Sequence, residues 1–172
     1  MIRVVMFDLG MTLVDEHRRP FPHVEDALTA IAGFKTADGK ALRSCLVSDF
    51  TMATPPVTAA KVTAIVNEYL AILDKTGLRP FFEPVSKRVT LSTQVGVEKP
   101  DRKIFETALQ RLGAGVSLDE CLFITEDGGH IDEARKTLKM TALHFRGGKS
   151  SEPSFDDWAE AAGLIARIVA PD

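Results

Sequence analysis

Long apolar runs are missing from this sequence. No stretch approaches the roughly 18 apolar residues needed to cross a membrane, and the N-terminal run is broken at Asp8 with no small-residue cleavage site behind it. Neither a membrane span nor a signal peptide is expected, and the location that follows is cytoplasmic. Cysteine is scarce as well: Cys45 and Cys121 each open a short apolar run, which suits reduced, buried strand residues better than a disulfide or a metal pair. Clusters of basic residues are absent too. Lys and Arg are scattered along a chain of net charge −3, so no nucleic-acid or anionic-membrane surface is expected. The chain also lacks internal repeats and low-complexity tracts. What it has is 172 residues, 45% of them hydrophobic and 26% charged, enough for a full core in one domain over residues 1–172.

The organising stretch is V-V-M-F-D-L-G-M-T, Val4 to Thr12. A β-branched and aromatic run ends at Asp8 and turns through Gly10, which places a carboxylate at the C-terminal end of a strand. A proline-punctuated segment carrying Arg18 and Arg19 follows and suits a small flap. Val24, Ala27, Leu28 and Ile31 recur at helical spacing before Gly33, and Ser44 to Val47 form a second strand ending in Ser48-Asp49. Val62, Ile65, Val66, Tyr69, Leu70 and Leu73 stripe a long helix closed by Gly77, with Tyr69 counted as core. R-V-T-L-S-T is a third strand. Pro100 is expected to open a helix, with Lys99 just before it. C-L-F-I-T, the fourth strand, delivers Glu126-Asp127 to a helix from about His130 to Lys139. T-A-L-H-F is the fifth strand; the loop G-G-K-S-S-E-P follows it, and Ser154 with Asp157 forms a capping-box-like start for the last helix.

Strands alternating with amphipathic helices imply an α/β fold with a parallel sheet, whose strands bring their C-terminal ends to one edge. Asp8, Thr12, Ser48, Lys99, Glu126 and Asp127 then meet in one crevice. That set suits phosphoryl transfer: a carboxylate attacks phosphorus, and the charge that develops is met by a lysine, hydroxyl donors and Mg²⁺. Magnesium keeps several waters and needs only one or two carboxylates with a backbone carbonyl.

In the order of its motifs the chain resembles the haloacid dehalogenase-like (HAD) hydrolase superfamily over nearly its whole length, as a member with little or no cap. F-D-L-G-M-T is similar to the first motif, with Asp8 as nucleophile and Thr12 among the phosphate-binding residues. L-V-S-D is similar to the second, with Ser48 on the phosphoryl oxygens, and V-E-K-P-D-R-K-I-F to the third, with Lys99 as the stabilising cation. F-I-T-E-D is similar to the fourth, in which an acid helps hold Mg²⁺. The resemblance implies a Rossmann-like sheet of order 5-4-1-2-3, with a small flap after the first strand. It also implies a Mg²⁺-dependent phosphatase-type hydrolase working through an aspartyl-phosphate, with Asp8, Gly10 through its carbonyl, and Glu126 or Asp127 at the metal.

The chain departs from the family at two points: Gly10 replaces the acid that serves as general acid and base, and Thr125-Glu126-Asp127 replaces the usual Gly-Asp. Loss of a positioned proton donor typically costs about 10²–10⁴-fold in rate. A catalytically impaired HAD-fold binding protein is therefore the alternative, and a dehalogenase, which needs no second acid, is a third. Only 35 residues separate Thr12 from Ser48, too few for a cap. An open site of this kind suits a phosphorylated macromolecule, or a homo-oligomer whose neighbouring copy walls the crevice.

Overall fold

A computed structural model describes residues 1–148 and 151–171; Lys149 and Ser150 of the G-G-K-S-S-E-P loop lie outside the described residues. The chain runs β1 (Val4–Phe7), α1 (Val24–Ala32), β2 (Arg43–Ser48), α2 (Ala59–Thr76), α3 (Val85–Arg88), β3 (Val89–Leu91), α4 (Ser92–Val95), α5 (Arg102–Leu112), β4 (Cys121–Thr125), α6 (Gly128–Lys136), β5 (Thr141–Phe145), β6 (Ser154–Phe155) and α7 (Trp158–Val169). All strand pairs are parallel, in the order β3-β2-β1-β4-β5-β6. The first five strands thus stand in the expected order, with β6 added beside β5 as a correction to it.

Helices cover both faces, which is why the strands read as continuous apolar runs rather than alternating ones. Along β1, Val5 and Phe7 join the core under α1, α2 and α7, while Val4 and Met6 join the core under α5 and α6. Cys45 and Cys121 are free thiols, and burial pushes both up to about 12, so they stay protonated and structural.

Several element boundaries differ from the sequence expectation. Ser154 belongs to β6, and α7 is capped by Asp157 alone, whose Oδ1 accepts from Ala159 N at 2.9 Å. Pro100 lies outside α5; Asp101 is the cap and accepts from Lys103 N at 2.8 Å. Helix α6 starts two residues earlier than His130, because Asp127 accepts from His130 N at 2.9 Å and caps it. In each case a carboxylate that satisfies orphan backbone N–H groups sets the start. Gly77 ends α2 at φ 72, as expected of a glycine there.

Trp158 links the last helix to the first loop. Its ring packs on Phe7, Phe145 and Phe155, and its indole N–H donates to the Thr12 carbonyl at 2.9 Å. Trp158→Phe keeps much of the packing and leaves that buried carbonyl without its donor, so denaturant melts should show a loss of about 1–3 kcal/mol. A change within about 0.5 kcal/mol, as is usual for surface substitutions, would mean the bond carries no stability.

Candidate active site

Asp8 follows β1 at the carboxyl edge of the sheet, its backbone N–H donating to Ile124 O at 3.0 Å. Its Oδ1 accepts from Leu9 N at 2.8 Å; its Oδ2 meets Lys99 Nζ at 2.8 Å and accepts from Thr125 Oγ1 at 3.1 Å. The Lys99 side chain is 1% exposed and stands 5.7 Å from the Phe123 ring centre. Asp8 is its ionic partner, and no further acceptor serves the ammonium among the described residues. A desolvated ion pair of this kind is an expensive feature that a purely structural core rarely needs.

Lys99 is fixed from behind by Asp49, whose Oδ1 accepts from Lys99 N at 2.8 Å. Ser48 Oγ lies 2.6 Å from the Tyr69 hydroxyl, deep in the core, and both residues line a crevice of about 210 Å³ that also takes in Leu9 and Gly10, the two residues after Asp8. Burial is the main cause that drives the Tyr69 phenol upward, with the Asp8 charge adding to it against the Ser48 bond, so the phenol stays neutral. Tyr69 was legible in the sequence only as part of a core stripe; the one phenol in an otherwise aliphatic stripe was the available signal.

Thr12 lies at the same edge but faces inward. It is fully buried, and its hydroxyl accepts from Glu126 N at 3.1 Å. The left-handed turn at Met11 (φ 57) swings Thr12 against the end of β4. The geometry therefore gives Thr12 a positional role, tying two loops together, in place of an open phosphate contact. Thr125, which sequence reading passed over, bridges two acids: its hydroxyl donates to Asp8 and accepts from Asp127 N at 3.2 Å.

No family model matches the chain. A 58-residue stretch, 31% of this chain, is 40% identical to the pyrimidine 5'-nucleotidase YjjG of Escherichia coli (strain K12) and takes in 24% of that protein, so the chain spans about a quarter of the curated relative it matches. A HAD-superfamily hydrolase from Ehrlichia chaffeensis superposes with a TM-score of 0.68 at 12% identity, over 98% of this chain and 99% of that one. The HAD-hydrolase YfnB from Bacillus subtilis, solved bound to magnesium, superposes with a TM-score of 0.62 at 13% identity, over 86% of this chain and 57% of that one. The fold is that of the HAD-superfamily hydrolases.

Where HAD hydrolases of the capped kind insert a domain, this chain has little. Between Thr12 and Ser48 lie the flap, α1 and a loop; between β3 and Lys99 lies only α4 with a short turn. The flap is a tight knot. Val14 bridges to Gly10 and Pro20, and Asp15 accepts from the backbone of Arg19 and His17 at 2.9 and 2.8 Å. The Arg19 N–H, with its guanidinium, holds the Asp15 carboxyl below the usual range. Arg19 is thereby committed to the flap, whereas Arg18 lines the crevice.

The donor set at this edge of the sheet fits a hydrated magnesium ion. Among the described residues no three His, Cys, Asp or Glu side chains form a metal cage, but magnesium needs fewer. Burial first, then the charges of Asp8 and Asp127, raise the Glu126 carboxyl above the usual range against Lys99 and His144, the pattern expected of acids that a cation would relieve. Burial also pushes Asp127 upward, but the His130 N–H and nearby positive charge outweigh it and hold it low. With Oδ1 engaged as the α6 cap, Asp127 is the less free of the two acids. His144 fixes the Glu126 backbone from below. A carbonyl only accepts, so Nε2 donates to Glu126 O at 2.8 Å, while Nδ1 and Ser151 Oγ stand 2.7 Å apart in a second hydrogen bond.

Because the folded-state pKa of Glu126 is raised, ionising it destabilises the metal-free protein. That penalty is absent below the ordinary glutamate value of about 4.3 and grows as pH climbs through the raised value. Glu126→Gln should therefore melt higher than wild type at neutral pH without metal, match it near pH 4, and lose most of the rise that Mg²⁺ gives. Equal melting at neutral pH and an intact Mg²⁺ shift would refute this.

Proposed function

We propose that the chain is a Mg²⁺-dependent phosphohydrolase in which Asp8 is the nucleophile. The observation that carries this is the buried Lys99–Asp8 pair at 2.8 Å beside an open crevice at the carboxyl ends of β1 and β2. Asp8 attacks phosphorus; its oxygen bonds to phosphorus as the ester P–O bond breaks and the electron pair leaves with the substrate oxygen. Water then attacks the aspartyl-phosphate, releasing phosphate and restoring Asp8. Lys99 balances charge on the phosphoryl group and holds the carboxylate before attack. Ser48, held by Tyr69, orients a phosphoryl oxygen, and Thr12 and Thr125 keep the loops carrying Asp8 and Glu126 in register. Asp8, Glu126 and the Gly10 carbonyl would hold Mg²⁺, with Asp127 behind them. When bound, the ion supplies positive charge to the phosphoryl oxygens.

No acid stands at Gly10 to protonate the leaving group, and that favours a second reading in which the same site binds phosphate without turnover. A panel of phosphate monoesters and acyl phosphates, assayed with and without Mg²⁺, separates the two readings. Acid-quenched protein should carry a phosphoryl group mapped to Asp8. Mg²⁺-dependent phosphate binding with neither release nor adduct would favour the binding protein, and metal-independent release would sink the phosphohydrolase reading.

A further inference from the structure

We propose that the groove that opens at Leu9 and Gly10, the residues after Asp8, and runs between the flap and α2 is a leaving-group subsite for phosphorylated phenols that carry an anionic group on their far side. This rests on the phosphohydrolase reading and adds the substrate class. Three independent features support it. The inner crevice, about 210 Å³, has Leu9, Met11, Val14, Phe50 and Ile72 on its walls, an apolar surface for a ring, with Asp15, Glu16, Arg18 and Asp49 also lining it. Phe50 is preorganised: its N–H donates to Ser92 Oγ at 3.0 Å, its carbonyl accepts from the same hydroxyl at 3.1 Å, and its ring meets Tyr69 edge-on at 5.3 Å. A ring entering the crevice meets an aromatic side chain already held in place.

The second feature is the missing proton donor. Gly10 carries no side chain, and of the acids that line the same crevice Asp15 is held by Arg19, Asp49 accepts from Lys99 N, and Glu16 is exposed on the flap. As the Asp8 oxygen–phosphorus bond forms, the P–O(aryl) bond breaks and its electron pair leaves as phenoxide, which takes a proton from bulk water afterwards. A phenol, with pKa about 10, tolerates that unassisted departure; an alkanol does not.

The third feature is outside the crevice. Through Arg18, Phe50 and Ile72 it continues into a hollow of about 580 Å³ that also holds His17, Glu68 and Lys75. Neither Arg18 nor Lys75 has an ion-pair partner among the described residues. A carboxylate on the far side of the phenol meets those cations, whether the phenol is a free small molecule or a side chain in a protein.

The test uses the full chain with Mg²⁺ and four probes: O-phosphotyrosine, phenyl phosphate, O-phosphoserine and acetyl phosphate, which has a good leaving group and no ring. kcat/KM on phosphotyrosine should exceed that on phosphoserine by about 10²-fold or more. Phe50→Ala should lower phosphotyrosine turnover about tenfold more than acetyl phosphate turnover. Arg18→Ala, on the exposed flap, should raise KM for phosphotyrosine several-fold more than it raises KM for phenyl phosphate. A phosphotyrosyl peptide with acidic flanks then separates the sources: preference for it assigns the groove to proteins, and preference for the free amino acid to a metabolite. Asp8-dependent release that is as fast from phosphoserine as from phosphotyrosine overturns the inference and spares the phosphohydrolase reading. Equal effects of Phe50→Ala on phosphotyrosine and acetyl phosphate overturn the groove assignment. Absence of Asp8-dependent release from every probe overturns both.

Discussion

Asp8→Asn is expected to remove Mg²⁺-dependent phosphate release by on the order of 10⁴-fold or more, the scale seen when an enzyme loses its nucleophile outright. The substitution keeps the shape and takes away the negative charge, so it also leaves the Lys99 ammonium buried without its counter-ion. Breaking one half of a buried pair typically destabilises by about 3–5 kcal/mol; here the cost should fall toward the lower end, since the Asp8 side chain keeps 13% exposure. The loss of activity must therefore be separated from a loss of fold. The double variant Asp8→Asn/Lys99→Met removes both charges and should recover much of the melting temperature while remaining inactive. If Asp8→Asn retains more than a hundredth of wild-type turnover with a normal melt, the carboxylate is not the nucleophile.

Gly10→Asp should act in the opposite direction, raising turnover of alkyl phosphates by up to about 10²–10⁴-fold and that of phenyl phosphate much less. The fold permits it: no atom lies within 4 Å of the new Cβ, and Gly10 stands outside the left-handed backbone region that would strain an aspartate. Leaving groups that depart unaided gain little from a proton donor, so the ratio of alkyl to aryl rates is the informative readout. An equal gain on both substrates would point to a change in metal binding rather than to general acid catalysis.

The strands that carry the site were readable because a parallel strand buried on both faces is an uninterrupted apolar run, and a polar residue marks the carboxyl edge, closing β2 and β4 and following β1 directly. Strand β6 was not readable: two residues show no periodicity, and Phe155 declares itself only by its packing on Phe145 and Trp158. Helices α3 and α4, four residues each, are below the length at which helical spacing becomes visible. At the site, Asp8, Ser48 and the acid pair were named from their positions after strands, and Lys99 from its place just before the helix that follows Pro100. Tyr69, Asp49 and Thr125 were missed because their roles arise from contacts across elements, such as the Asp49–Lys99 bond spanning 50 residues. The inward turn of Thr12 depends on the conformation of Met11, which no residue type announces.

The bond from the Trp158 indole to the Thr12 carbonyl spans 146 positions of chain, and it sets a schedule for biosynthesis. Residues emerging from a ribosome tend to organise from the N-terminus onward. Here the loop behind Asp8 is held by a side chain made 146 positions after Thr12, and the central strand β1 waits for β4 on one of its edges. A nascent chain stalled before Trp158 therefore leaves the ribosome with Asp8 already translated and its loop still unanchored.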